Sequence, residues 1–423
     1  MLSAVVGINW GDEGKGRMVD LLCRNFDIVC RYQGGNNAGH TVVNEKGRFV
    51  LNLLPSGILQ DGTVNVLGGG TVIDIEHLAK EIAALQAAGI NVTPENLKIS
   101  DKATVCMPYH RLQDCLEEDR LAENKFGSTR RGIGPVYSDK YMKKTIRMGD
   151  LKRLDSIRQH IAGIVEWKNL MIVGGYGKPK IETQSVMNWL YTYGESLKPF
   201  ICNTSKYLSD AVSAKKRILF EAQLGALRDI DMGIYPYTSS SNSLAAHAPI
   251  GAGIPGEKLD GVIGIMKAYS TCVGEGPFTC ELFGEEGEAL RKSGNEYGAA
   301  TGRPRRVGGF DAVASRYGVK VQGADKIALT KLDVLSYLDK IPVCVAYEAE
   351  GKKIYDFPFG DVLDEAKPIY EYLDGWKQDI SHCRSYDELP KNAQKYVEYI
   401  EKLVGCTVNY ISVGAERDQI IIR

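Results

Sequence analysis

The apolar run at residues 3–9 (SAVVGIN) stops at a segment with glycines at 11, 14 and 16, after which Met18, Val19, Leu21 and Leu22 recur at helical spacing. This order predicts strand, loop, helix. Glycines at these positions let backbone amides approach an anion closely at a helix N-terminus, and Lys15 adds a point charge suited to phosphate. The spacing is not that of a Walker A loop, which needs glycine where Asn9 stands and a hydroxyl where Gly16 stands. A switch GTPase is therefore disfavoured. Asp12 and Glu13 lie inside the same loop and would repel phosphate unless a metal or a proton transfer requires a carboxylate there.

Further β-type runs occur at residues 27–32, 63–69, 217–222, 261–269, 326–333, 341–348 and 407–414, with helical patterns such as residues 75–90 between some of them. The alternation predicts an α/β fold with a mostly parallel central sheet and helices on both faces. Residues 111–208 read as mainly helical with a Gly-rich break at 173–180, an insertion into the main unit. Lysine and arginine number 52 against 53 aspartates and glutamates, so no positive field exists to gather nucleic acid or a membrane surface. Small-molecule partners are expected. No stretch approaches the roughly 18 apolar residues of a membrane span, and no basic segment precedes the short apolar start, so a cytoplasmic location is expected. The 10 cysteines lack metal-type spacing and are expected as reduced, mostly buried thiols.

A second Gly-rich segment, residues 31–42 (RYQGGNNAGHTV), follows a strand and places His40 among polar, permissive residues rather than on an apolar face. With the first loop it resembles the adenylosuccinate synthetase family. The resemblance continues through STRRGIGPVYSDK (128–140), DIDMGIYPYTSSSN (229–242), KAYSTCVGEGPF (267–278), GAATGRPRRVGGFD (298–311), TKLD (330–333) and ISVGAERD (411–418). It implies a P-loop-related α/β fold, one domain over residues 1–423 with a mainly helical insertion at about 102–210, and a C-terminal part from about 340 that completes the guanine site. It also implies a homodimer and a GDP-forming ligase joining L-aspartate to IMP through 6-phosphoryl-IMP, the first committed step of AMP synthesis from IMP.

The resemblance further implies roles. Asp12 would take the proton from N1 of the purine and His40 would act as the acid at the transferring phosphoryl group; Mg2+ would bind the Asp12 carboxylate and the Gly39 carbonyl. GTP would meet Gly11, Glu13, Gly14, Lys15, Gly16, Arg17, Gly39, Thr41 and Arg305, with its base at Lys331, Asp333, Ser412 and Gly414. A carboxylate such as Asp333 accepts both N1–H and the N2 amino protons of guanine, whereas adenine offers an acceptor at N1; a solvated K-x-D pair ending a strand is the plain alternative. IMP would meet Asp12, Lys15, Asn37, His40, Thr129, Lys143, Gln223, Ser239, Val273 and Arg303. The loop ATGRPRR suits a dicarboxylate, and Ala299, Ala300, Thr301, Arg303 and Arg305 would hold the aspartate substrate, with the Arg303 fork the principal contact.

The departures from the family pattern lie at the acceptor. AQLG (222–225) replaces GAQG, so Leu224 stands where a phosphate-binding glutamine is expected, and Gln223, one place away, faces oppositely in an extended segment. Lys143 replaces the arginine that reaches the neighbouring subunit's 5′-phosphate site, Ser239 replaces threonine, Arg130 fills a glycine position, and Ala300 and Pro304 alter the aspartate loop. These changes accord either with drift or with another 6-oxopurine acceptor such as dGMP. A GTP-binding regulatory protein with no acceptor is a third reading, opposed by the Asp12/His40 pair and the arginine-rich loop.

Overall fold

A computed structural model describes residues 1–297, Gly302 and 304–423 of the chain. The expected apolar runs form one ten-stranded sheet: β1 (Leu2–Gly7), β2 (Ile28–Arg31), β3 (Val64–Leu67), β4 (Leu97–Ser100), β5 (Ile201–Cys202), β6 (Ile218–Gly225), β7 (Gly261–Lys267), β8 (Lys326–Thr330), β9 (Val408–Ser412) and β10 (Ile420–Ile422). Their spatial order is β10-β9-β8-β7-β1-β6-β2-β3-β4-β5. All neighbours pair in parallel except β9 and β10.

Central β1 is buried along its whole length because both faces are covered. Alternation divides it: Leu2, Ala4 and Val6 pack with Leu208 and Ala211 of helix Thr204–Ser213, while Val5 packs with Met18, Val19 and Leu22 of helix Lys15–Leu22. Helix Ile75–Ala87 starts where Asp74 accepts a hydrogen bond from His77 N at 3.1 Å, and buries Ile75, Leu78, Ile82 and Leu85 at helical spacing.

Residues beyond β4 are mainly helical, with Pro108–Leu121, Ile133–Tyr141, Arg158–Asn169 and Thr183–Gly194. Leu151, Ile164 and Leu190 from this region share a core with Leu67, Leu97 and Ile99 of the sheet. At the Gly-rich break the helix widens into a π turn, Leu170–Gly175, and stops.

One run lies elsewhere than expected. Residues 341–348 fall in strand Lys340–Ala349, which belongs to a small separate sheet and pairs antiparallel with Lys367–Asp374. Apolar content alone does not distinguish this strand from those of the main sheet. All ten cysteines are free, and no helix among the described residues is long and apolar enough to cross a membrane.

Parallel strands present their carboxyl ends on one edge. Hence the segments after β1, β2, β6, β7, β8 and β9, which hold most of the expected site residues, gather along that edge.

Candidate active site

The first loop follows β1 with Asp12 at φ 60°, a left-handed conformation uncommon outside glycine, and ends at Gly14, which caps helix Lys15–Leu22 at φ 99°. This geometry turns Asp12 outward while its neighbour turns in. Glu13 is 3% exposed and accepts from Gly11 N at 2.8 Å, Asn9 N at 3.1 Å and Lys15 Nζ at 2.7 Å. Its carboxylate thus fills the donor set of amides and lysine that suits a phosphate. The Glu13 side chain therefore serves the loop itself. Thr330 Oγ1 at the end of β8 donates to Glu13 O at 2.7 Å and ties the loop to TKLD.

His40 begins strand His40–Asn44. A Cβ on Gly16 would lie 2.8 Å from His40 Cβ, so only glycine lets the first loop pack this closely beneath the imidazole. His40 Nδ1 lies 2.5 Å from Glu221 Oε1 on β6, and Glu221 also accepts from Ser56 N at 2.8 Å and Ser56 Oγ at 2.7 Å. Burial opposes the Glu221 charge, but the bond to His40, Arg31 and Ser56 outweigh it and hold the carboxyl below its usual range. Burial pushes the His40 imidazolium below its ordinary value, with Glu221 working against that. The resting pair is therefore a carboxylate facing Nδ1–H of a neutral ring, which leaves Nε2 for the loop edge. Gly39 is exposed beside it, and Thr41 is half-buried on the next position of the strand.

At the far end, Arg17 donates to Ser412 Oγ at 2.5 Å and to Gly414 O at 2.7 Å, joining the first helix to the segment after β9. Arg17 is thereby a structural tie between the first helix and the segment bearing Ser412 and Gly414. Lys331 sits at φ 60°, and Asp333, two residues on, is half-buried; burial raises its carboxyl above the ordinary value. Lys331 Nζ meets Gly294 O at 2.5 Å and Glu296 Oε1 at 3.0 Å.

Glu296 has no exposed side-chain surface and takes Arg305 Nη1 at 2.7 Å, while Arg305 Nε lies 3.0 Å from Asp12 Oδ2. Of the expected aspartate contacts only Arg305 is described; Ala299, Ala300, Thr301 and Arg303 lie outside the described residues.

On the acceptor side the loop bearing Thr129 is anchored by Asp114, which accepts from Ser128 Oγ at 2.7 Å and Gly132 N at 2.8 Å. Thr129 itself is exposed, and Arg130 pairs with Asp119 at 2.7 Å. Lys143 is exposed just past helix Ile133–Tyr141, at φ 62°. Asn37 Oδ1 accepts from Gly35 N at 3.2 Å, Val273 is 46% exposed, and Ser239 shares a hydroxyl contact of 3.2 Å with Ser241.

Gln223 is corrected. Its side chain is fully buried; Nε2 donates to Gly35 O at 2.5 Å and Oε1 accepts from Gly35 N at 3.2 Å, so it braces the second Gly-rich loop and is not turned toward a ligand. Leu224 at φ 60° produces the reversal, where the β1–β6 register shifts before Gly7 meets Gly225. A Cβ on Gly225 would stand 2.2 Å from Asn9 O, which shows how tightly the two loop bases meet.

Besides Glu296, three further residues outside the sequence expectations shape this site. Glu221 and Lys267 are lone charges in buried strands, a signal visible in the sequence as a charge inside an apolar run. Arg228 is 8% exposed and donates to Val273 O at 2.5 Å and Glu275 O at 3.4 Å, fixing the loop that carries Val273; nothing in its sequence neighbourhood signals this.

The adenylosuccinate synthetase family model matches residues 4–421. The chain is 45% identical over 419 residues to adenylosuccinate synthetase of Thermoanaerobacter sp. (strain X514), covering 99% of this chain and 98% of that one. It is 46% identical over 418 residues to the Cyanothece sp. (strain PCC 7425) protein of that name, covering 99% and 94%. The fully ligated Plasmodium falciparum adenylosuccinate synthetase superposes with a TM-score of 0.93 at 36% identity, covering 100% of this chain and 99% of that one. A cyanophage S-2L succinoaminodeoxyadenylate synthetase, solved with dGMP and dATP, shares the fold at a TM-score of 0.62 and 19% identity, covering 100% and 95%. Matched over nearly its whole length by model, by relatives and by architecture, the chain belongs to the adenylosuccinate synthetase family.

Proposed function

We propose that the chain is a GTP-dependent ligase that joins L-aspartate to IMP through 6-phosphoryl-IMP. The observation that carries this is the pairing, on one sheet edge, of an outward Asp12 with a His40 oriented by buried Glu221. Asp12 takes the N1 proton, which moves electron density onto O6. O6 then attacks the γ-phosphorus of GTP, the bond from that phosphorus to the β,γ-bridging oxygen breaks, and GDP departs. His40, with Glu221 behind it, meets that phosphoryl through Nε2. Burial alone disfavours the imidazolium, and the approach of a second anion opposite Glu221 restores it, so the proton is available as negative charge builds. Phosphate then leaves C6 as the aspartate amine attacks, since phosphate is a far better leaving group than an amide-type oxygen.

Mg2+ fits Asp12 and Gly39: both sit at the exposed loop edge, and hard oxygen ligands supplemented by substrate phosphates are what this ion takes. Among the described residues no group of three acidic, histidine or cysteine side chains gathers, so these two ligands depend on the nucleotide to complete the shell. When bound, the ion neutralises charge on the β- and γ-phosphates. Asp12 must leave Arg305 to serve it.

The remaining roles follow the same reading. Lys331, Asp333, Ser412 and Gly414 recognise guanine; Thr129, Asn37, Ser239 and Val273 face IMP; the arginine-rich loop, Arg303 included, holds aspartate. Two subunits associate in the cytoplasm through the face bearing exposed Tyr141 and Met142, 73% and 52% accessible, which lets the adjoining Lys143 reach the partner's acceptor phosphate. The test is a steady-state assay with GTP, Mg2+ and aspartate against IMP, dGMP or no acceptor. Higher kcat/KM with dGMP, or acceptor-independent GTP hydrolysis, overturns the assignment.

A further inference from the structure

Glu296, which meets both Lys331 and Arg305, has no ligand role in the proposed reaction, yet it is heavily bonded. Its side chain has no exposed surface and accepts from Lys267 Nζ at 2.9 and 3.0 Å, Tyr269 OH at 2.5 Å, Lys331 Nζ at 3.0 Å and Arg305 Nη1 at 2.7 Å. One buried carboxylate thus faces three cations. Two of them serve different parts of the proposed reaction: Lys331 faces the guanine of GTP, while Arg305 serves the aspartate substrate as well as GTP.

The backbone strengthens the link. Arg305 N donates to Glu296 O at 2.9 Å, and Tyr297 pairs with Pro304, so the positions flanking the aspartate loop are clamped to each other at Glu296. Lys331 reaches the same carboxylate from the end of β8, and Arg305 extends from it to Asp12. A guanine that draws Lys331 along its face takes one donor from Glu296 Oε1. The acid then holds its remaining cations more strongly, because three positive charges no longer divide one negative charge around a carboxylate that has no exposed surface.

We propose that Glu296 is a positioning residue that couples guanine recognition at Lys331 to the placement of Arg305 for the aspartate substrate. The inference rests on the ligase reading above. It makes GTP and aspartate bind cooperatively across a single side chain, with no domain movement required. By linkage the effect is mutual: bound aspartate tightens GTP as much as bound GTP tightens aspartate.

The test measures the apparent KM for aspartate at GTP well below and well above its own KM, in the full-length enzyme with Mg2+ and saturating IMP. In the wild type the value falls roughly fivefold or more as GTP saturates, within the usual range of such couplings. In E296Q the ratio drops to about one. Because E296Q leaves buried Lys267 without its anion, the double variant E296Q/K267M is made alongside it; it removes that cation with the acid and is expected to fold and show the same lost ratio. Y269F keeps the acid and all three cations and retains the wild-type ratio.

A ratio in E296Q or the double variant equal to the wild type overturns the coupling, as does a Y269F enzyme that loses it equally, which would assign the effect to packing. A wild-type enzyme that forms adenylosuccinate with a ratio of one fails the coupling alone. Failure to form adenylosuccinate at all fails the reaction reading and the coupling with it.

Discussion

Replacing Glu221 with glutamine tests whether the buried acid sets the chemistry of His40. Glutamine keeps the volume and one carbonyl oxygen for Ser56 N, but removes the charge facing Nδ1 at 2.5 Å. A hydrogen bond to a charged partner contributes about 1.5–3 kcal/mol. If that stabilisation is realised as His40 gains charge in the transition state, kcat falls roughly 10- to 160-fold, with GTP affinity little changed. The pH profile gives a second readout. Burial already lowers the His40 value and Glu221 opposes it, so removing the acid lowers it further. The imidazolium is then lost sooner as pH rises, and the alkaline decline of kcat begins at lower pH than in the wild type. Rates are taken by stopped assay of adenylosuccinate from pH 6 to 9, with thermal melting to confirm folding. A kcat within twofold of the wild type and an unmoved decline would refute the role given to Glu221.

Asp12→Ala is expected to cut turnover by about a thousandfold or more, in line with losing a positioned proton acceptor, while GTP still binds by calorimetry; near-normal turnover would remove Asp12 from the chemistry. Lys143→Ala should raise the KM for IMP roughly tenfold, the scale of one lost charged hydrogen bond, and an unchanged KM would show that the residue does not serve the phosphate. Asp311 is fully buried, accepts from Ala314 N at 2.9 Å and Tyr347 OH at 2.6 Å, and burial pushes its carboxyl up to about 6. A raised carboxyl value favours the protonated folded state, so its stabilisation is present at low pH and is lost as pH climbs from about 4 to about 6. Asp311→Asn should flatten that part of the stability curve and gain about 2–3 kcal/mol at pH 7; melting curves that keep the wild-type slope would refute it.

Much of this fold is legible in the sequence, because the two Gly-rich segments and the apolar runs each carry a local signal. Residues 3–16 announce strand, loop and cap by composition alone. The strand at residues 341–348 is misplaced for the same reason, since an apolar run encodes burial but not which sheet does the burying. Side-chain direction is less legible. Glu13 and Asp12 are adjacent carboxylates, and only the left-handed turn at Asp12 sends one inward and the other out. Gln223 likewise turns to the second Gly-rich loop because Leu224 reverses the chain after it. The partners of His40 and Lys331 are remote in sequence: Glu221 stands 181 residues from His40, and Glu296 35 residues from Lys331. Such pairs are fixed by strand order, which periodicity does not encode.

The central claim is that O6 of the purine is activated by phosphorylation at the Asp12/His40 edge before the aspartate amine attacks. IMP labelled with heavy oxygen at O6, turned over with GTP, Mg2+ and aspartate, tests this directly by mass spectrometry of the released phosphate. The label is expected in the inorganic phosphate, one atom for each adenylosuccinate formed. Unlabelled phosphate, with the heavy oxygen recovered in water, would contradict it.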